Sequence, residues 1–396
     1  MPTRRRPAHA LPRRKNHGFR KKTRPLCFPT SERGVAALSS ERAVCADACY
    51  HCKRMLRALR QLIITIVVQP RICDIAMQQR VSEIYPRFFE SLPSMAGKTV
   101  AVTGASRGLG FVTAKSLAMK GAAVILLNRR STNADDARTH IAEVATGPPP
   151  VAIECDLCDF ASVRRAAAEV GMLLTERGLD VLCLNAGIML QPDVPSKDGY
   201  DITAQTNVLS HFLLTRTLMP CLERAASQRG EARISSMSSG SGFGPPSFDA
   251  RFYARMGGRL GGQQASYARY HQSKLANLLF TSALHRKLSA KGSRIMALAC
   301  TPGVCATDMF VHVQTLSRPS QPVDLGRVPS VEDGSCAQLK CLCDRDGVGS
   351  GQLWGPPGLG GWPAEVAMAP PTVLVDASAE EALWQCCEQA TGPFEL

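Results

Sequence analysis

Long apolar runs are missing from the sequence. The longest uncharged apolar run, residues 62–68, is far shorter than the roughly 20 residues that a membrane-spanning helix needs. No apolar signal-peptide core opens the chain either. With 45% apolar and 20% charged residues, the composition is that of a soluble globular protein, and we expect no transmembrane span.

Acidic residues are scarce at the amino-terminal end. Residues 1–94 contain 19 Lys and Arg but only 6 Asp and Glu, which accounts for +13 of the formal charge of +14. The remainder is close to neutral, which argues against a nucleic-acid-binding core. We predict that residues 1–94 are a basic, disordered extension. They are either an organelle transit peptide (plastid or mitochondrion) or a gene-model artefact upstream of a start at Met95, which would leave a cytoplasmic protein.

The 16 cysteines follow no disulfide framework. They are scattered through predicted strands and helices, which favours free buried thiols in a reducing compartment. In the extension, Cys45, Cys49 and Cys52 have the C-x3-C-x2-C spacing of radical-SAM iron–sulfur ligands, with His51 as a further zinc-type ligand. A radical-SAM enzyme would need a barrel after this motif, and a dinucleotide-binding pattern follows instead. We therefore predict no metal site.

The clearest pattern in the chain is a strand followed by a glycine-rich turn. Residues 99–102 are a short β-branched run that predicts a buried strand, and Gly104, Gly108 and Gly110 follow it before a helical pattern begins. Such glycines let the backbone turn sharply and approach a diphosphate, whose charge is stabilised by the N–H groups that open the helix. We interpret this turn as a dinucleotide site.

The second predicted strand, residues 122–127, indicates which dinucleotide binds. Asn128 and Arg129 follow it where an acidic residue would bind a ribose 2′-hydroxyl, and arginine there suits a 2′-phosphate instead. Arg107, inside the glycine turn, adds a second cation. The sequence therefore predicts NADP(H).

Two other interpretations of the glycine turn stay open at this point. The segment from Gly104 to Gly108 also matches the nucleophile elbow of hydrolases, with Ser106 as the nucleophile. An elbow normally follows several strands, however, whereas this turn follows the first strand of the domain. The other alternative is a glycine-rich turn that binds no ligand, because such patterns produce false positives.

Downstream, predicted strands at residues 151–155, 180–184, 233–239 and 294–299 alternate with helices. This alternation predicts an α/β fold, a single Rossmann-type domain with a doubly wound parallel sheet over residues 95–396. In such sheets ligands bind at the carboxyl ends of the strands. The residues at those ends are Asp156, Leu157, Asn185, Ala186, Gly187 and Ser239. Asp156 would meet an adenine amino group or, alternatively, cap the next helix.

Tyr270 and Lys274 are four residues apart on a predicted helix, so they share one face of it. A lysine ammonium beside a phenol stabilises the phenolate and lowers its pKa towards the working range of an acid–base catalyst. Ser239 is placed to donate a hydrogen bond to the same carbonyl oxygen that such a tyrosine would protonate. Taken alone, such a Tyr/Lys pair is more often an ordinary helix face.

Together these residues resemble the short-chain dehydrogenase/reductase family from about residue 96 to the end. The family's order and spacing are matched by Thr103, Gly104, Gly108, Gly110, Asp156, Asn185, Ala186, Gly187, Asn207, Ser239, Tyr270, Lys274, Pro302 and Gly303. Residues 270–280 are most similar to the branch of retinol dehydrogenases and protochlorophyllide reductases. In the strand before Ser239, serines stand where the family usually has aliphatic residues. We choose Ser239 over Ser238 because the second serine of the pair is the usual position.

The resemblance implies a role for each residue. Tyr270 would be the general acid–base, Ser239 would polarise the substrate carbonyl, and Lys274 would lower the tyrosine pKa and bind the nicotinamide ribose. Asn207 would hold a water that links Lys274 to solvent. The residues that would bind NADP(H) are Thr103, Gly104, Ser106, Arg107, Gly108, Leu109, Gly110, Asn128, Arg129, Asp156, Leu157, Asn185, Ala186, Gly187, Tyr270, Lys274, Pro302, Gly303 and Thr307.

The resemblance also implies the reaction, an NADP(H)-dependent interconversion of a carbonyl and an alcohol by hydride transfer. Branch similarity points to apolar small-molecule substrates such as retinoids, steroids, lipid aldehydes or quinones. The alternatives are a sensor or scaffold that binds NADP(H) without turnover, and light-dependent protochlorophyllide reduction. Many relatives pair through the helices that carry Asn207 and Tyr270, and the sequence leaves a homodimer open.

Overall fold

Eight strands form one sheet in the computed structural model, which describes residues 81–317, 325–368 and 375–396. The order is β3-β2-β1-β4-β5-β6-β7-β8, and every neighbouring pair is parallel except β7 with β8. The strands are β1 Thr99–Thr103, β2 Ala123–Asn128, β3 Val151–Glu154, β4 Val181–Leu184, β5 Ala232–Met237, β6 Ile295–Cys300, β7 Leu353–Gly355 and β8 Ala364–Val366. The prediction of a doubly wound, Rossmann-type parallel sheet is confirmed.

Helices cover both faces of the sheet. They are α1 Tyr85–Ser91, α2 Gly108–Met119, α3 Thr132–Val144, α4 Phe160–Leu173, α5 Ser210–Arg229, α6 Ser266–Ala290, α7 Asp308–Ser317, α8 Val331–Cys343 and α9 Ala377–Thr391. A short helical segment, Ile202–Ala204, and a π-turn, Gln205–Leu209, lead directly into α5. The predicted helix at residues 202–222 is therefore longer than expected and includes a π-turn.

The two faces of the sheet bury separate cores. One core is built from residues of α4, α5, α6 and α9, and Phe212, Phe280 and Trp384 are packed together within it. The other is built from residues of α1, α2 and α8. The central strand β1 contacts both cores, and all five of its residues are buried. A strand buried on both faces reads as a continuous apolar run, which is why β1 was predictable.

Helix α1 belongs to this fold, although the sequence places it in the extension. Phe88 is 2% exposed and Met95 is 5% exposed, and both lie in the core with α2 and α8. The backbone N–H groups of residues 83–85 donate to the Asp333 carboxylate over 2.8–3.0 Å. The folded unit therefore extends upstream of Met95. The predicted cluster Cys45, Cys49 and Cys52 lies outside the described residues.

The described cysteines are all free, as the sequence predicts. There are 11 cysteines in the described ranges, and nine of them are buried. Within the same ranges no group of His, Cys, Asp or Glu side chains has the arrangement of a metal site. In that part of the chain, no helix is both long and apolar enough to span a bilayer.

Candidate active site

The glycine turn between β1 and α2 is closely packed at Gly104 and Gly110. Gly104 and Gly108 have φ values of +68° and +58°, a region that L side chains rarely adopt. A Cβ on Gly110 would overlap the side-chain amide of Asn185 and the carbonyl oxygen of Gly104. Among the described residues no side chain caps α2, so the N–H groups at its start remain available to an anion.

Asn185, which follows β4, fixes the shape of this turn. Its Nδ2 donates to Thr103 O over 2.9 Å and to Gly104 O over 3.2 Å. The next residue, Ala186, donates its N–H to Thr103 Oγ1 over 3.0 Å. Asn185 Oδ1 is buried and has no hydrogen-bond partner within the described structure, so it is available to a ligand in the turn.

The end of β2 presents a second orphaned amide. Asn128 is 7% exposed, yet neither Oδ1 nor Nδ2 has a hydrogen-bond partner in the described residues. Arg129 beside it is exposed, whereas Arg130 is paired with Glu154 at 2.7 Å. Arg107 is 67% exposed and lies 3.2 Å from Asp308. A buried amide without a partner, next to exposed arginines, fits a polar, anionic ligand.

At the end of β3, Asp156 does not cap the following helix. The N-cap of α4 is Asp159, whose carboxylate accepts from the N–H groups of Ala161 and Ser162. Asp156 Oδ1 accepts from Cys158 N–H over 3.0 Å instead. The helix-cap alternative for Asp156 is therefore wrong. Leu157 is buried, and its carbonyl oxygen accepts from Ser210 Oγ.

Asn207 lies in the π-turn and is fully buried. Its Oδ1 accepts from Ile188 N–H over 2.9 Å, and its Nδ2 donates to Ile188 O over 3.0 Å and to Ser273 Oγ over 2.9 Å. This side chain therefore joins the loop after β4 to α6. π-Turns inside α-helices often occur at functional sites, and this one directs Asn207 inward.

Tyr270, on α6, is 5% exposed and shares a hydrogen bond with the Ser239 side chain. Ser238 turns away from it, because its Oγ donates to Lys274 O over 2.9 Å. Lys274 Nζ lies 5.6 Å from the centroid of the Tyr270 ring and donates to Met237 O over 2.8 Å. Serine, phenol and ammonium thus meet at the carboxyl end of β5.

Gly187 brings the loop after β4 against the same group. A Cβ on Gly187 would lie 3.4 Å from Lys274 Nζ and 3.5 Å from Asn207 Oδ1. The structure therefore places Asn207, Ser239, Tyr270 and Lys274 around one point, as their sequence positions predict. These four side chains come from three parts of the fold, the π-turn, the end of β5 and α6, so their arrangement depends on how α5 and α6 pack on the sheet.

Burial dominates the pKa values of this group. It raises the pKa of Tyr270 to about 12, although the hydrogen bond with Ser239 acts in the opposite direction. Burial also lowers the pKa of Lys274 to about 8. The sequence predicts a lowered phenol pKa, and in the structure the direction is reversed, because the cost of desolvating a phenolate outweighs the hydrogen bond.

The segment after β6 completes the edge of the site. Gly303 has φ +70°, and a Cβ there would contact Leu359 O and Pro356. Pro302 is half-buried beside it. Thr307 precedes α7, and its Oγ1 accepts from Phe310 N–H over 3.3 Å. In the glycine turn, Ser106 and Leu109 are both half-buried.

Two residues that sequence reasoning missed also contact the site. Asn277 Nδ2 donates to Met237 O over 2.9 Å. His211 bonds to Thr103 Oγ1 through Nε2 over 3.0 Å and to Asn207 O through Nδ1 over 3.2 Å. Helical spacing was the signal available for both, because Asn277 lies three residues after Lys274 and His211 lies four residues after Asn207. These contacts engage both ring nitrogens of His211, so it is not available to activate Ser106 as a hydrolase nucleophile.

Comparison with known proteins agrees with this geometry. The family model described as short chain dehydrogenase matches residues 98–254. A short-chain dehydrogenase/reductase of Armillaria gallica is 34% identical over 250 residues, covering 62% of this chain and 78% of the relative. The polyprenol dehydrogenase of Homo sapiens is 33% identical over 226 residues, covering 56% of this chain and 64% of that protein.

A solved structure has the same fold. The crystal structure of an uncharacterised protein from Mycobacterium paratuberculosis matches with a TM-score of 0.61 and 32% identity, covering 78% of this chain and 98% of that one. The sheet order, the glycine turn and the shared sequence over most of these relatives lead to one conclusion. The chain belongs to the short-chain dehydrogenase family of oxidoreductases.

Proposed function

We propose that this protein is an NADP(H)-dependent oxidoreductase that interconverts a carbonyl and an alcohol. The observation that carries the proposal is a buried phenol, Tyr270, which is hydrogen-bonded to Ser239 and has Lys274 beside its ring. A phenol held in this way is a proton donor and acceptor next to a fixed hydrogen-bond donor, which is what a reacting carbonyl oxygen needs.

The cofactor assignment rests on groups that the protein leaves unpartnered. Asn185 Oδ1 and both polar atoms of Asn128 are buried without partners among the described residues, and the start of α2 has no side-chain cap there. These groups suit the parts of a dinucleotide, namely a ribose, a hydroxyl or phosphate group beside β2, and a diphosphate at the start of α2. Arg107 and Arg129 favour a 2′-phosphate and hence NADP(H) over NAD(H). When bound, the nicotinamide supplies or accepts the hydride.

The residues of this chain would handle the proton. In the reductive direction, Tyr270 donates its phenolic proton to the substrate oxygen while Ser239 donates a hydrogen bond to the same oxygen. A pKa of about 12 keeps Tyr270 protonated, and therefore able to donate, throughout the neutral range. Lys274, as an ammonium below a pKa of about 8, then stabilises the phenolate that remains. In the oxidative direction the proton moves the opposite way.

An apolar substrate is the second part of the proposal. It is supported by the similarity to a polyprenol dehydrogenase, whose name specifies a long apolar alcohol. The segments beside the site contain apolar residues, among them Ile188, Met189 and Leu190 after β4. We therefore propose lipid-like alcohols and aldehydes, retinoids, steroids or quinones as the substrate class.

Two assays on the full chain test this function. Calorimetric titration should show NADPH binding more tightly than NADH. NADPH consumption should then appear when apolar aldehydes or ketones are added. Binding without consumption of NADPH for any carbonyl would favour a sensor or scaffold instead. Absence of binding by either nucleotide would overturn the cofactor assignment.

A further inference from the structure

Two loops that leave the active site are held together by one carboxylate. The first is residues 188–195, which follow Gly187, and the second is residues 257–263, which precede α6. Asp193 Oδ1 accepts from Gly258 N–H over 2.9 Å. Its Oδ2 accepts from Leu260 N–H over 2.7 Å and from Gly262 N–H over 2.9 Å. Three backbone donors of the second loop thus converge on one side chain of the first.

Arg269 holds the same loop through its carbonyl groups. It is 1% exposed, and its guanidinium donates to Gly262 O over 2.7 Å, to Leu260 O over 3.4 Å and to Gln191 O over 2.8 Å. Its Nε lies 3.1 Å from Asp201 Oδ2, in an ion pair whose atoms are not aligned for a hydrogen bond. Residues 258–262 are therefore bonded through their N–H groups to an anion and through their C=O groups to a cation.

This loop would not hold one shape without those bonds. It contains four glycines, and Gly258, Gly261 and Gly262 have φ values of +83°, +89° and +62°. Ordering glycine costs more conformational entropy than ordering any other residue. Gly258 and Arg259 are exposed and Leu260 is half-buried, so burial alone does not fix the loop. Beyond the backbone bonds of Gly257 N–H to Gly199 O and of Arg259 N–H to Met256 O, the charge-assisted bonds from Asp193 and Arg269 are what stabilise it.

The two loops adjoin the catalytic group. Ile188 begins the first loop and is bonded through both its N–H and its C=O to Asn207. Arg269 immediately precedes Tyr270 on α6. Gln263 Nε2 adds a contact of 3.4 Å to Leu190 O. The bonded loops therefore connect to Gly187 and Asn207 at one end and lead into the helix that carries Tyr270 at the other.

We propose that Asp193 and Arg269 hold residues 257–263 as a fixed wall of the substrate site, and that Asp193 is thereby a positioning residue that determines which substrate sizes are accepted. The part that concerns substrate size rests on the proposed function. Among the apolar carbonyl compounds proposed as substrates, a fixed wall excludes the bulkiest and confines the smaller ones. When the wall is released, small substrates lose contacts and bulky ones gain access.

The variant Asp193→Asn tests this proposal in the full chain. The amide turns an NH2 group towards backbone N–H donors, so charge-assisted bonds are lost. Each such bond contributes about 1.5–3 kcal/mol, so the population of the open loop should rise at least about tenfold. Trypsin cleavage after the exposed Arg259 should accelerate by the same factor, because proteolysis follows the population of the open form. KM for a small carbonyl substrate should rise about five- to tenfold, with a smaller change for a bulky one.

Two further variants complete the test. Asp249→Asn is the matched control, because the Asp249 carboxylate also accepts from a backbone N–H and from a guanidinium, but both belong to Arg251 two residues away and join no second loop. Gly262→Ala strains the loop at φ +62° without a steric contact within 4 Å, and it should accelerate cleavage even if Asp193→Asn does not fold. Unchanged cleavage after Arg259 in both Asp193→Asn and Gly262→Ala would overturn the proposal that residues 257–263 are held as a fixed wall. Faster cleavage with an unchanged ratio of KM values would overturn the role in specificity. Failure of the proposed function is distinct, since it appears as absence of turnover in the unmodified chain and leaves the proteolysis result intact.

Discussion

Lys274 and Asn277, one helical turn apart on α6, donate hydrogen bonds to the same acceptor, the carbonyl oxygen of Met237. The two distances are 2.8 and 2.9 Å, and both side chains are at most 5% exposed. Met237 is the last residue of β5, two positions before Ser239. This shared acceptor therefore fixes α6 against the end of β5 and sets the position of the ammonium relative to the phenol and the serine.

Asn277→Ala should lower kcat about three- to tenfold and change KM little. The reason is that one neutral hydrogen bond, worth about 0.5–1.5 kcal/mol, no longer helps to fix Lys274 and Met237. Steady-state kinetics with NADPH and one carbonyl substrate measure the effect. Thr281→Val is the control, because the Thr281 hydroxyl bonds only back to Asn277 O on its own helix. Equal losses in the two variants would show a general effect on α6 rather than positioning of Lys274.

Gly110→Ala should abolish nucleotide binding. Its new Cβ would overlap Asn185 Nδ2 and Gly104 O, so the turn and the anchoring amide cannot keep their positions. Gly171→Ala, also inside a helix, has nothing within 4 Å of the added Cβ and should instead stabilise the protein by about 0.5–1 kcal/mol. Calorimetric titration with NADPH and denaturant unfolding of both variants are the measurements. Normal NADPH affinity in Gly110→Ala would contradict the turn as the diphosphate site.

Replacing Arg107 and Arg129 with glutamine should weaken NADPH binding far more than NADH binding. Each arginine that contacts a phosphate through a charge-assisted bond contributes about 1.5–3 kcal/mol, or about ten- to a hundredfold in Kd. Arg130→Gln is the matched control. Arg130 is already paired with Glu154, so its replacement should change neither the Kd for NADPH nor the Kd for NADH. Equal weakening of NADPH and NADH would contradict recognition of a 2′-phosphate.

The free energy of unfolding should fall as pH is lowered from 6.5 to about 3. Burial lowers the pKa of His211 from 6.5 to about 3, so within this window the unfolded chain binds a proton that the native chain does not. The slope from this group is at most about 1.4 kcal/mol per pH unit. Urea unfolding across this range should give a shallower slope for His211→Asn. A change of the same size in His140→Asn, where the histidine is exposed, would contradict a role for burial.

Strands β1–β4 and β6 were predictable because each is largely an apolar or β-branched run followed by residues typical of strand ends. Strand β5 contains Arg233, Ser235 and Ser236, and its place in the alternation of strands and helices indicated it instead. Strands β7 and β8 were not, because each has three residues in a segment rich in glycine and proline. Pairing with β6, rather than local propensity, makes β7 a strand. Helix α1 was missed for a related reason. Its anchor, Asp333, is about 250 positions away in the chain.

The site residues were predictable because their spacing in the sequence carries the pattern, as with Tyr270 and Lys274. For Asn277 and His211, helical spacing indicated only that they lie near Lys274 and Asn207; their partners, Met237 O and Thr103 Oγ1, are brought close only by the folded sheet. The direction of the Tyr270 pKa was mispredicted for the same reason. A neighbouring lysine can be recognised from spacing, whereas the burial that raises the pKa of Tyr270 is a property of the tertiary structure.

The most direct test of the central claim compares Tyr270→Phe with the unmodified full chain. NADPH consumption with an apolar aldehyde should fall by about 10²–10⁴-fold, the usual contribution of a positioned acid–base, while the Kd for NADPH stays within about threefold. Tyr267→Phe, one turn earlier on α6 and 41% exposed, should keep its activity. Undiminished NADPH consumption by Tyr270→Phe would contradict the assignment of this phenol as the proton donor and, with it, the proposed reaction.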